Sequence, residues 1–333
     1  MITGQNGMYE KKLVDHCSLV VSSCDKYETV WYPYFELIRK YWPDRPKDIY
    51  LITETRSYAH KGLNIICVNA AENECTWSER LYRCLSQIRT KYIIFSLEDF
   101  FLLDRVKNER IEECFAWMEE NPKIAVCRLA ISDHKGLKVA GQYGSFRIAG
   151  DDIGYRLDTQ FALWNREALM GFLDMSESPW EFETFGTKRI IGTDKIFLWN
   201  YAEDDFDIDQ MIVPYRIRQT YGYGIAWSRW LWENKQWFEK NDIYNVNYKK
   251  LGSISEKHVK RRIKYLYHPS NGKIGRAIRD VYQMIVYVEK AAQNIRIYGR
   301  RKGIRLIVGE YSQIIINKCR RSLYKYHVKR RKD

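Results

Sequence analysis

Two adjacent carboxylates, Glu98 and Asp99, lie between apolar runs in the segment Lys91-Tyr-Ile-Ile-Phe-Ser-Leu-Glu-Asp-Phe-Phe-Leu-Leu-Asp104. Carboxylates are seldom buried unless paired, protonated or bound to a cation. The preceding residues, Tyr92 to Ser96, read as a strand buried on both faces, as in a parallel sheet. In open α/β sheets ligands bind outside the carboxyl ends of strands. An acidic pair at such an end is a candidate site for a divalent cation and the phosphates it carries. The alternative is a pair of solvated loop acids, and the elements upstream bear on the choice.

Those elements alternate. Ser18 to Ser23 reads as a short apolar strand running into Ser22-Ser-Cys-Asp25. In the segment Tyr27 to Tyr41, Val30, Tyr34, Leu37, Ile38 and Tyr41 fall at helical spacing. Asp48 to Thr53 and Asn64 to Val68 are two further strands, and Thr76 to Arg89 is a helix with Trp77, Leu81, Cys84, Leu85 and Ile88 on one face. The strand before Glu98 comes fourth, followed by a helix over Asn108 to Glu120 and a strand over Ile124 to Leu129. Such alternation implies an α/β fold with a doubly wound parallel sheet. Beyond it, Asp133 to Asp152 reads as an exposed loop or irregular hairpin. Tyr155 to Trp164, Asp194 to Trp199 and Met211 to Ile217 are expected strands, and Arg166 to Met175 an expected helix.

The chain has 333 residues, 45% of them hydrophobic and 15% aromatic, enough to bury a large core. Its net charge of +13 is unevenly spread. From Glu256 onward there are 22 Lys and Arg against 5 Asp and Glu, whereas residues 1–255 carry 33 against 37. A mildly acidic body (1–255) therefore precedes a basic extension (256–333). The polar N-terminus has no apolar h-region of a signal peptide, and no run approaches the 18 or so uncharged apolar residues of a membrane span. The eight cysteines contain no C-x-x-C pair and read as reduced core thiols, which argues against zinc. P-loop, dinucleotide and H-E-x-x-H motifs are absent from the sequence, which disfavours those enzyme classes.

The order of strand with terminal Asp25, helix, strand, strand, helix, and a strand ending in Glu98-Asp99 resembles the nucleotide-binding half of GT-A-fold glycosyltransferases. The resemblance implies a mixed, mostly parallel Rossmann-like sheet flanked by helices, with about 17–130 as the nucleotide-sugar half and 131–255 as the acceptor half. In that family a strand-end D-x-D motif holds a divalent metal against the donor diphosphate. Here the position reads Glu98-Asp99, with no strict D-x-D, so those two residues would hold Mn²⁺ or Mg²⁺ or contact the diphosphate directly. The family's first strand-end loop would place Ser22, Ser23 and Asp25 at the base and ribose. Asp25 has an equal claim to being a cap or turn residue before the helix that follows.

Further on, Thr159-Gln-Phe-Ala-Leu-Trp-Asn-Arg-Glu-Ala-Leu169 and Ser178-Pro-Trp-Glu-Phe-Glu183 look like the acceptor half of bacterial surface-polysaccharide glycosyltransferases. There an acidic residue at a helix start supplies the catalytic base. Ser178 as N-cap, Pro179 at N1 and Glu181 at N3 form a capping box, which gives Glu181 a structural task. Glu183 is therefore the first choice as base and Glu181 the second, with Trp180 a candidate sugar platform. Tyr223, Arg229 and Trp230 are candidates for a lid or acceptor contact.

In the basic extension Ile278, Val281, Tyr282, Ile285 and Val288 recur at helical spacing, and Ile304, Ile307, Val308, Tyr311, Ile314 and Ile315 repeat the pattern. Basic amphipathic helices suit an anionic membrane surface. No specific nucleic-acid motif accompanies them. Together with the resemblance, this implies a glycosyltransferase that moves a sugar from a nucleotide donor to a lipid-linked glycan, peripheral on the cytoplasmic face of the membrane. The competing readings are a nucleotidyltransferase of the same fold, which usually needs a Gly-rich basic loop that Ser22 to Lys26 lacks, and a non-catalytic protein that binds nucleic acid or membrane through the extension.

Overall fold

The structure, a computed structural model, describes residues 12–69, 75–203, 207–215, 224–226 and 228–259. The expected helices of 278–315 and the acceptor candidate Tyr223 lie outside these residues. Among the described residues nine strands form one mixed sheet. They are β1 (Cys17–Ser22), β2 (Asp48–Thr53), β3 (Asn64–Asn69), β4 (Tyr92–Leu97), β5 (Ile124–Ser132), β6 (Lys138–Val139), β7 (Phe146–Ile148), β8 (Ala162–Asn165) and β9 (Ile196–Tyr201). Their order is β3-β2-β1-β4-β8-β5-β9-β7-β6. The β3-β2-β1-β4 block and the β5–β9 pair are parallel, while β8 runs antiparallel to both its neighbours.

Every residue of β1 is buried, and β4 is buried up to Ser96. Such strands need cover on both faces. A short helix, α1 (Lys12–His16), leads into β1; Leu19, Val21 and Ile94 point into one layer with α2 (Glu28–Tyr41) and α4 (Asn108–Glu120). Val20, Ile93 and Phe95 point into the other, with α3 (Trp77–Gln87) and α5 (Arg166–Phe172). The alternation of strand side chains thus fills two cores, and helices close both. α3 starts where the sequence predicts: Thr76 caps Glu79 N and the Glu79 carboxylate returns to Thr76 N. The expected α/β architecture is present, a large mostly parallel sheet flanked by helices.

Three expected elements differ. Of Tyr155 to Trp164 only the end, from Ala162, is strand. Tyr155 has a left-handed backbone (φ 57°), and Asp158 turns the chain by accepting the Gln160 N–H. Of Met211 to Ile217, the described part makes a single bridge, Leu102 to Tyr215, while Ile212, Val213 and Tyr215 pack into the core as irregular chain. The expected helix Arg166 to Met175 stops at Phe172. Residues 133–152 do form an irregular hairpin, β6 against β7. A second, small sheet joins β10 (Ile225–Ala226), β11 (Arg229–Leu231) and β12 (Ser253–Ile254). Among the described residues no helix is long and apolar enough to cross a membrane.

The sheet order places the candidate acids. β1 is flanked by β2 and β4, so the connections leave it in opposite directions at that point. The crevice beyond the carboxyl ends of β1 and β4 is therefore a topological switch point, where α/β sheets bind ligands. Ser22 pairs with Leu97 at the last rung, and the next residues, Ser23 to Asp25 and Glu98-Asp99, emerge side by side.

Candidate active site

Glu98 and Asp99 form a turn directly after β4, with Phe100 N bonding back to Leu97 O. Glu98 is buried and Asp99 half-buried. Burial first, and then the charge of Asp99, push Glu98 well above the usual carboxylate range. Burial likewise raises Asp99, partly offset by a hydrogen bond from Ile225 N to its Oδ2 (3.2 Å). Among the described residues no Lys, Arg or His pairs with either. Two adjacent carboxylates therefore occupy low-dielectric surroundings without a counter-charge. Cys24, Tyr27 and Tyr34 all sense the charge of Glu98, and burial with that charge lifts the Cys24 thiol to about 11.

The β1 loop is held rigidly. The indole N–H of Trp31 donates to Ser23 Oγ (2.7 Å) and that of Trp77 to Ser22 Oγ (2.9 Å), both buried. The two serines are therefore engaged as acceptors for core indoles. Asp25 is not a helix cap. Its carboxylate receives Glu54 N, Thr55 N, Arg56 N and Thr55 Oγ1, all from the loop after β2, while its own N–H donates to Glu54 Oε2. Partial burial opposes its charge, but these bonds outweigh it and hold Asp25 below its ordinary value.

Sequence reasoning missed Glu54 and Arg80. Arg80 Nη1 pairs with Glu54 Oε1 (2.5 Å), its charge reaches Cys24, and its Nε is buried without a partner. The signal was available in part: Glu54 directly follows strand β2, at the same sheet edge as Asp25 and Glu98.

Residues 224–226 and 228–231 cover this edge. Besides the Ile225 bond, Gly224 N donates to Asp99 O (2.8 Å), and Lys26 Nζ donates to Ser228 Oγ (2.8 Å). Gly224 lies so close to Phe101 that a Cβ would overlap the ring. Ser228 has a left-handed backbone (φ 61°), a conformation that costs about 1–2 kcal/mol and persists only where neighbours fix it. Arg229 is exposed beside this segment. Trp230 is corrected to a core residue. It is fully buried, stacked on Phe101 and edge-on to Phe238 and Tyr248, so it supports the cover from within the core.

Glu183 reaches the same edge by a second route. The register Phe95 to Ala162 makes residues after β4 and those before β8 leave the sheet together. Just before β8, Thr159 donates from N (3.0 Å) and Oγ1 (2.7 Å) to Glu183 Oε1. Beside it, Asp158 is paired with Arg128 Nε (2.5 Å). Burial raises Glu183 above its usual range; the Thr159 bonds and Arg128 oppose this, and Asp158 adds to it. Glu183 stands in a π turn, Phe182–Gly186. Such turns are uncommon and frequent at functional sites. Phe182 packs on Trp77, whose indole bonds Ser22, which ties this segment to the β1 end. Glu181 forms the expected capping box with Ser178. Trp180 is 65% exposed, available to a ligand from solvent.

No family model and no curated protein sequence matches the chain. Several solved structures are similar to part of it. The mannosyltransferase PcManGT from Pyrobaculum calidifontis, in complex with GDP-Man and Mn²⁺, has a TM-score of 0.40 at 11% identity, over 61% of this chain and 59% of that one. TarS 1-349 of S. aureus gives 0.37 at 12%, over 57% and 58%. Glucosyl-3-phosphoglycerate synthase from Mycobacterium tuberculosis, in complex with Mn²⁺ and UDP-Glc, gives 0.35 at 12%, over 60% and 75%. This chain thus spans under two thirds of the first and second of these. With TM-scores this low, the likenesses carry no weight for function.

The Trp31–Ser23 bond yields a test of what Ser23 does. Ser23→Ala leaves a buried indole N–H without an acceptor and should lower stability by about 1–3 kcal/mol in urea unfolding. An unchanged unfolding midpoint would mean that the hydroxyl is not needed by the core and is free for a ligand.

Proposed function

We propose that the first of the chain's two compact units, which ends at Val259, is a GT-A-like glycosyltransferase using a nucleotide-sugar donor. The observation that carries the reading is the uncompensated Glu98–Asp99 pair at the β1/β4 switch point, with Glu183 brought to the same sheet edge from the β8 side. Two oxygen-donor groups without a basic partner suit a hard divalent cation, Mn²⁺ or Mg²⁺. Among the described residues no group of three or more acidic, His or Cys side chains is arranged to hold a metal ion by itself. Diphosphate and water would therefore complete the coordination, as Mg²⁺ sites on phosphate substrates usually have it. When bound, the cation would offset charge on the leaving diphosphate.

The chain's own groups account for the remaining steps. The β1 loop, pinned by Trp31, Trp77 and Asp25, and the neighbouring Glu54–Arg80 pair would cradle the nucleotide. An acceptor hydroxyl is a poor nucleophile until its proton is removed. Glu183 would take that proton as the oxygen bonds to the anomeric carbon. As that bond forms, the bond from the same carbon to the diphosphate breaks, its electron pair leaving with the phosphate oxygen. A base working opposite the leaving group corresponds to a single, inverting displacement. Trp180 offers a flat, exposed face to a sugar ring of the acceptor.

The acceptor we propose is a lipid-linked glycan of surface-polysaccharide synthesis at the cytoplasmic membrane face. The support is the basic character and helical apolar spacing of 256–333. Full-length protein should co-sediment with phosphatidylglycerol vesicles and come off them as salt rises. Equal binding to neutral vesicles, or none to either, would remove this part of the reading.

The donor site is tested by Glu98→Gln with Asp99→Asn. Stabilisation by UDP or GDP with Mn²⁺ in a thermal-shift screen should disappear. Hydrolysis of UDP- and GDP-sugars should fall by about 10²-fold or more, with the thermal midpoint of the free protein retained. Full activity in that double variant would sink the proposal. Glu183→Gln should keep the nucleotide-induced shift and lose about 10²–10⁴-fold in hydrolysis. Because the base must be ionised, kcat should rise with pH through a limb lying above the ordinary Glu range, the direction in which burial moves Glu183. A pH-independent rate across that limb would speak against this base.

A further inference from the structure

Glu183 is bound unevenly. Its Oε1 receives two hydrogen bonds, both from Thr159, and its Oε2 has no hydrogen-bond partner among the described residues. A carboxylate oxygen has two lone-pair sites, so Oε1 is saturated and Oε2 retains its accepting capacity. Thr159 is itself fixed. It sits in the turn that Asp158 makes by accepting Gln160 N (3.2 Å), with the second Asp158 oxygen bound to Arg128 Nε. The Arg128 guanidinium stands 4.6 Å over the Trp199 ring and also donates to Ala130 O. On the other side, the π turn is wedged between buried Phe182 and Gly186, and a Cβ on Gly186 would come within 3.0 Å of Leu157 Cδ1. Neither partner is free to swing away from the other.

We infer that Thr159 is a positioning residue: it holds Oε1 and so reserves Oε2 of Glu183 for the acceptor proton. The inference rests on Glu183 being the base. Thr159 does not touch the reacting atoms. It selects which oxygen works and sets the plane of the carboxylate, with the Arg128–Asp158 pair anchoring the turn from below. Its bonds also favour the ionised form, since hydrogen bonds to a carboxylate lower its pKa.

The test uses full-length protein and whichever UDP- or GDP-sugar it hydrolyses, with four variants. Thr159→Val removes the Oγ1 bond while keeping shape and the backbone N–H. It should lower kcat by about tenfold or more, the worth of one hydrogen bond to a charged group. It should leave donor KM unchanged and move the rising limb of the pH profile to higher pH. Thr159→Ser keeps both bonds and should restore kcat and limb. Thr159→Ala, which introduces no clash, replaces valine if the valine protein does not fold. A wild-type kcat and pH profile in Thr159→Val, with Glu183→Gln inactive, overturns the positioning role and leaves the base standing. A lowered thermal midpoint with unchanged kinetics also overturns it, reducing Thr159 to a structural anchor. Full hydrolysis by Glu183→Gln removes the base and the inference together.

Discussion

The rest of the site depends on one electrostatic constraint: two adjacent carboxylates, Glu98 and Asp99, are sunk into a sheet edge with no cation of the described chain beside them. Desolvation of a charged carboxylate is costly enough that such groups normally protonate or find a partner. Here the surroundings only soften the cost. Backbone N–H groups, that of Ile225 among them, reach the side chain of Asp99. The basic residues nearby are turned elsewhere, Arg80 to Glu54 and Lys26 to Ser228. This arrangement makes little sense as a stabilising device and good sense as a place where charge arrives with a ligand.

Around that acidic pair the chain is unusually well tied. Tryptophans from α2 and α3 bond consecutive serines at the end of β1, so both helix layers are latched to the strand that borders the site. Asp25 binds the β2 loop through four donors, and Glu54 of that loop in turn holds Arg80 of α3. The second carboxylate centre, Glu183, is secured through Thr159, Asp158 and Arg128. These groups fix the geometry of the candidate site, and under the proposed function that preorganisation would serve catalysis.

Much of this was visible in the residues. The apolar runs of β1 to β4 and the helical spacing of α2, α3 and α4 follow local periodicity, and the acidic pair could be placed at a strand end for the same reason. The capping box of Ser178 and Glu181 is also a local pattern. What escaped depends on partners far apart in sequence. Nothing near Asp25 reveals that its bonds come from the β2 loop, and nothing near Thr159 announces Glu183. Tyr155 to Trp164 has the look of a strand because alternation says nothing about the Asp158–Arg128 pair or the left-handed Tyr155. Trp230 is only a candidate ligand contact in the sequence, because an aromatic beside an Arg has the same composition at a surface and in a core.

The cover over the acids has a consequence for how the protein folds. The Asp99–Ile225 bond joins residues 126 apart, Lys26–Ser228 spans 202, and Lys250–Glu28 spans 222. The β1–β2 and β2–β3 pairings, in contrast, connect neighbouring strands. Closing long loops is entropically costly before any contact rewards it, so non-local pairings form late. The floor of the site therefore rests on pairings between strands close in sequence, and its roof on contacts that only the folded chain brings together.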